Sequence, residues 1–266
     1  MIRKYLLIAL LGFLYVPALQ AKVDYRFRTM SPEGGFYYDG VKSIQQDKDG
    51  FMWILMENEL YRFDGYEYKR YYGKFAQTDK AKEWVFNNVD VDASGNLFVA
   101  TNNGLYLYKR PPDTFHLERK GNIQKVKVDN RNNIWIRSDN TWSILNRKDT
   151  SLETPLYDGK KLPYIGAVFC PYNDDLYVSS NYGRFYRYNY TTSGFSQCMN
   201  MPESDGFVLE AKAYKGKLWV LVKPYGLYRI DLATFTVEDH IDIYKKLDVK
   251  MIRAFHVDKT GMLWFG

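Results

Sequence analysis

Three histidines, two cysteines and a recurring aspartate carry most of the reactive chemistry this sequence has to offer. His116, His240 and His256 are scattered. They show no His-x-x-x-His spacing for a metal, and none sits beside a Ser or Cys as in a nucleophile elbow. His256, within Ala254-Phe-His-Val-Asp258, is the one in strand register. Cys170 and Cys198 stand 28 residues apart. An oxidising compartment permits a bond between them, yet Cys170 sits in strand register, where a buried free thiol is ordinary. Asp47-Lys-Asp49-Gly50 has the look of a calcium loop, yet Phe51, Met52 and Trp53 follow where further carboxylates are needed. The role expected of such an Asp is local: its carboxylate accepts a backbone N–H two residues on and holds a turn. No catalytic residue, metal or cofactor is expected.

That aspartate returns with a repeat. Asp92-Ala-Ser-Gly95-Asn-Leu-Phe98-Val-Ala-Thr-Asn-Asn-Gly104-Leu-Tyr-Leu-Tyr108 reads as turn, strand, turn, strand. Asn and Gly tolerate positive φ, so Asn-Gly between apolar runs signals a hairpin. The first-strand aromatic recurs as Trp53, Phe98, Trp135, Tyr177, Trp219 and Trp264, at intervals of 45, 37, 42, 42 and 45 residues. Three residues before each stands a turn former: Gly50, Gly95, Asn132, Asp174, Gly216 and Gly261. Six before stand Asp47, Asp92, Asp129 and Asp258, with Pro171 and Ala213 in the fourth and fifth units. Gly104, Gly183 and Gly226 mark the second turn.

This period predicts an all-β fold, a β-propeller of four-stranded antiparallel blades. Five full blades and the start of a sixth are expected, with repeats beginning near residues 41, 86, 123, 165, 207 and 251. Inner strands are expected at Val41–Ile44, Phe86–Val89, Ile123–Val126, Ile165–Val168 and Met251–Ala254.

Met1–Ala21 pairs Arg3 and Lys4 with an apolar run from Tyr5 to Leu19, short of the roughly 20 residues of a spanning helix. It reads as a signal peptide cleaved before Lys22, leaving 22–266 as the propeller. Tyr25–Thr29 is the natural ring-closing strand, and Lys74–Lys82 an exposed loop. Without the signal segment 35 Lys+Arg face 31 Asp+Glu, with no block of like charge, so nucleic acid is not an expected partner. Trp84, Tyr182 and Tyr225 lie near turns, where a ring can stack on a sugar or pack between blades.

Asp47-Lys-Asp-Gly50-Phe-Met-Trp53-Ile with Leu60-Tyr-Arg-Phe-Asp64-Gly65, then Asp92 to Tyr108, then Asp258-Lys-Thr-Gly261-Met-Leu-Trp264-Phe-Gly266, resemble the two-component regulator propeller repeat. The resemblance covers nearly all of the chain after its signal segment. It implies a periplasmic sensor of a hybrid two-component system, with an oligosaccharide ligand. The parent would be an inner-membrane homodimer carrying a further propeller, an immunoglobulin-like module and a kinase. Because the pattern expects more after Gly266, the chain reads as an N-terminal part of a seven-bladed ring, poorly stable alone. A propeller lyase acting on cyclic peptides has similar Gly-x-x-Trp repeats, and that resemblance would make His256 a general base. A protein-interaction scaffold is the third reading.

Overall fold

The computed structural model describes residues 40–56, 59–71, 85–162, 165–203, 206–252 and 254–266, all within the unit Tyr37–Gly266. The signal segment, Tyr25–Thr29, Lys74–Lys82 and Trp84 lie outside the described residues. The first sheet holds β1 (Ser43–Gln46), β2 (Met52–Leu55), β3 (Leu60–Phe63) and β4 (Tyr68–Arg70). The second holds β5 (Phe86–Val91), β6 (Leu97–Thr101), β7 (Gly104–Lys109) and β8 (Thr114–Lys120). In the third are β9 (Lys125–Val128), β10 (Ile134–Ser138), β11 (Thr141–Leu145) and β12 (Leu152–Glu153). A small hairpin, β13 (Leu156–Tyr157) and β14 (Lys160–Lys161), precedes the fourth sheet and pairs on its outer edge. That sheet holds β15 (Ile165–Tyr172), β16 (Asp175–Ser180), β17 (Arg184–Asn189) and β18 (Gly194–Asn200). The fifth has β19 (Phe207–Tyr214), β20 (Lys217–Lys223), β21 (Gly226–Asp231) and β22 (Val237–Ile241). After a one-turn helix, α1 (Ile243–Leu247), come β23 (Phe255–Val257) and β24 (Leu263–Phe265).

Each four-strand unit is an antiparallel meander, and the five stand in a ring as a β-propeller. Alternation explains how they adhere. Successive strand residues face opposite sides, so β6 sends Leu97 and Val99 toward the first sheet and Phe98 and Ala100 toward the third. In the five full units the repeated aromatic fills the next interface. Trp53 packs with Tyr108 of the second sheet, Phe98 with Ile134 of the third, and Trp135 with Tyr188 of the fourth. The period visible in the sequence is therefore one ring per interface.

The first turn of each unit comes in two forms. In units one, two, three and six an Asp begins it. Oδ1 of Asp47 accepts from the N–H groups of Asp49 and Phe51, each at 3.0 Å, and Asp92, Asp129 and Asp258 repeat the arrangement. Positive φ at Gly50, Gly95, Asn132 and Gly261 completes it. Units four and five use two-residue hairpins, Tyr172 opposite Asp175 and Tyr214 opposite Lys217, which is why no Asp is needed there. The left-handed residue of the fourth turn is Asn173 rather than Asp174.

Two expectations are corrected by geometry. The second-unit hairpin is not made by positive φ at Asn102, Asn103 or Gly104. Instead Oγ1 of Thr101 accepts from the N–H groups of Asn103 and Gly104, at 3.1 and 2.9 Å. Gly104 is required because a Cβ there would lie 2.7 Å from the carbonyl oxygen of Arg119. Three inner strands also begin later than the apolar spacing implied, at Ser43, Lys125 and Phe255. Ile123 and Ile252 are buried side chains that seal the blades ahead of the strand, whereas pairing starts where the turn sets the register.

Candidate functional site

The innermost strands bring one polar side chain per unit opposite the repeated aromatic: Gln45, Asp90, Lys127, Cys170, Lys212 and His256. Inner strands of adjacent sheets are tied by side chains rather than a ladder. Asn87 Nδ2 donates to the Ile123 carbonyl at 2.8 Å, Asn88 Oδ1 accepts from the Val126 N–H at 3.1 Å, and Asp90 Oδ2 from the Val128 N–H at 2.9 Å. Glu210 Oε2 accepts from the Phe255 N–H at 3.1 Å. A sheet splayed from its neighbour leaves backbone groups that need such partners.

These strands surround a cavity of about 570 Å³ on the propeller axis. Its lining includes Lys42, Asn87, Asn88, Lys125, Lys127, Trp142, Phe169, Glu210 and Lys212. Four lysines meet one lining carboxylate, so the cavity is electropositive. Lys212 pairs with Glu210 at 2.7 Å, and Lys127 lies 3.8 Å from Asp90. Burial lowers the Lys125 ammonium, helped by Arg137 and Lys127 nearby. Burial likewise raises the Asp90 carboxyl against the pull of Lys127. Both shifts mark a poorly hydrated environment. Trp142 and Phe169, with ring centroids 5.1 Å apart, form the aromatic part of the wall.

Residues singled out in the sequence do not converge there. Asp47, Asp92, Asp129 and Asp258 serve their turns, and their second oxygens accept from Trp53, Asn96, Trp135 and Trp264 side chains at 2.8–2.9 Å. Tyr177, Trp219 and Phe98 pack between sheets, and Gly183 and Gly226 close second turns at positive φ. Tyr182 and Tyr225 sit at the second turns of units four and five; Tyr182 is exposed, whereas Tyr225 packs against the core between those units. His240 stacks on Tyr228 at 4.2 Å, and its Nε2 lies 2.8 Å from the Tyr225 carbonyl oxygen. His116 is exposed near Thr114, and His256 is exposed opposite Trp264. Cys170 and Cys198 are free thiols on the inner and outer strands of one sheet, with two strands between them. No cluster of metal-ligating side chains occurs among the described residues. The lysines of the cavity escaped sequence reading because they fall on β9, β19 and the segment just before β1, whose mutual approach is set only by ring closure.

A β-propeller with an electropositive axial cavity is the class these features define. No protein-family model and no curated protein matches the sequence. Solved structures do resemble it. The extracellular domain of a one component system from B. thetaiotaomicron superposes with a TM-score of 0.70 at 17% identity, over 87% of this chain and 33% of that one. PorZ, a surface component of the type-IX secretion system of Porphyromonas gingivalis, gives 0.64 at 14%, over 84% and 36%. Virginiamycin B lyase from Staphylococcus aureus gives 0.60 at 13%, over 85% and 76%. The likeness at these identities is one of fold. This chain spans about a third of the length of the first two. Among the described residues no helix is long and apolar enough to cross a membrane.

Proposed function

We propose that this chain is a rigid, non-catalytic sensor propeller of a two-component signalling receptor, exported to the periplasm, whose ligand is an oligosaccharide. The axial cavity carries the reading. Its volume of about 570 Å³ lies within the range of small-molecule sites, and its walls are hydrogen-bonding side chains with an aromatic flank. The similarity in fold to the extracellular domain of a one component system supports it. A ligand seated among side chains from five sheets would bias how receptor chains sit against one another, a population shift rather than a reaction.

A second reading, turnover, is favoured only by the fold shared with virginiamycin B lyase and by the exposed His256. Glycan-array binding by the exported region of the full-length protein tests the first. Retention of defined oligosaccharides is the expected result; an array without any retained glycan, alongside capture of a protein partner, would favour a scaffold.

A further inference from the structure

We propose that the axial cavity is a site for a small organic anion bearing carboxylate or sulfate groups. Among its described lining residues are four lysines and a single carboxylate, Glu210, which pairs with Lys212, while Asp90 lies beside Lys127; two carboxylates thus face four ammonium groups. On the third sheet the imbalance is built into the register. Lys125 stands directly opposite Arg137 across β9 and β10, and Arg137 directly opposite Trp142 across β10 and β11. Directly opposed residues share a sheet face, and opposed like charges destabilise the pair. Lys125 and Trp142 both line the cavity.

Two buried donors on this sheet face also lack acceptors. Nη2 of Arg137 donates to the neutral Asn140 Oδ1 at 2.7 Å, whereas its buried Nε has no partner. Trp142 is 4% exposed and its Nε1 has no partner either. Buried donors are normally satisfied. A carboxylate or sulfate in the cavity would supply negative charge beside these groups, because ammonium groups bind such anions through short charge-assisted bonds. The inference rests on the sensor reading for its site and deepens it by making the ligand acidic; a neutral glycan retained on the array would keep that reading and overturn this one.

The test is calorimetric titration of the full chain with citrate, glucuronate, inorganic sulfate and, as an uncharged control, glucose. Saturable, salt-sensitive binding of an anion but not of glucose is expected. Citrate or glucuronate would assign carboxylate chemistry, and sulfate alone would assign sulfate. Lys125→Gln and Arg137→Gln should each weaken binding about tenfold, with Lys160→Gln, exposed on β14, unchanged. Should circular dichroism show Lys125→Gln and Arg137→Gln unfolded, Lys42→Gln, at an exposed lining position, gives the same reading. No saturable anion, equal binding of glucose, or equal weakening by Lys160→Gln would overturn the proposal.

Discussion

Nε1 of Trp135 donates to Oδ2 of Asp129 at 2.8 Å, six residues away and out of water. Asp129 thereby joins two jobs. One oxygen shapes the turn through Arg131 and Asn133, and the other fixes the indole that fills the interface with the fourth sheet. Tyr190 of that sheet donates to the same Oδ2 at 2.9 Å. Turn, core and neighbouring blade meet at one carboxylate.

Removing it should be costly. Asp129→Ala strands several buried donors and is expected to lower stability by roughly 3–4 kcal/mol. Trp135→Phe forfeits the charged hydrogen bond and is expected to cost about 1.5–3 kcal/mol. Urea denaturation of each variant checks the order; equal and negligible losses would contradict it.

Two glycines separate conformational need from space. At Gly226, φ is 120° and a Cβ would fall 2.3 Å from the Ile241 carbonyl oxygen, whereas at Gly50, φ is 86° with open surroundings. Gly226→Ala is expected to cost about 3 kcal/mol or more and Gly50→Ala about 1 kcal/mol. Thermal melts of the two proteins read the difference directly.

Acid should loosen the interface between the first two sheets. Burial acts to raise the Asp113 carboxyl, but hydrogen bonds from Lys69, Tyr108 and Tyr71 outweigh it and hold the group well below the ordinary carboxylate range. A folded-state value below the unfolded one contributes stability above about pH 4 that is lost as pH falls through the folded value. Between about pH 5 and about pH 2, either side of the ordinary carboxylate value, wild type should lose denaturant resistance more steeply than Asp113→Asn. Identical slopes would refute this role.

The cysteines should stay unreacted in the folded protein. Burial pushes the thiols of Cys170 and Cys198 up to about 11, and three inter-strand spacings of ~4.8 Å separate their strands, beyond the reach of a disulfide. An aromatic disulfide reagent at neutral pH should label neither until denaturant is added, and then both. Two missing thiols after denaturation would show a bond.

Much of this was legible because the propeller writes one aromatic and one turn per interface. Trp53, Trp135 and Trp264 could be aligned by eye, and the Asp turns with them. Their shared hydrogen bond was not, since a six-residue separation carries no periodic signal and the Asp is explained by its turn alone. The exchange at Thr101, whose hydroxyl replaces positive φ, was hidden because Asn-Asn-Gly already looks like a reversal. Least legible was the cavity. Lys42, Lys125 and Lys212 are unremarkable in their own segments, and only the ring makes them neighbours.

The fate of a bound oligosaccharide tests the sensor reading most directly. The full-length protein is incubated with a glycan it retains, and the ligand is recovered and weighed by mass spectrometry. Unchanged mass, with wild type and His256→Ala retaining the glycan equally, is predicted. A product of altered mass, absent with His256→Ala, would contradict a receptor that binds without reacting.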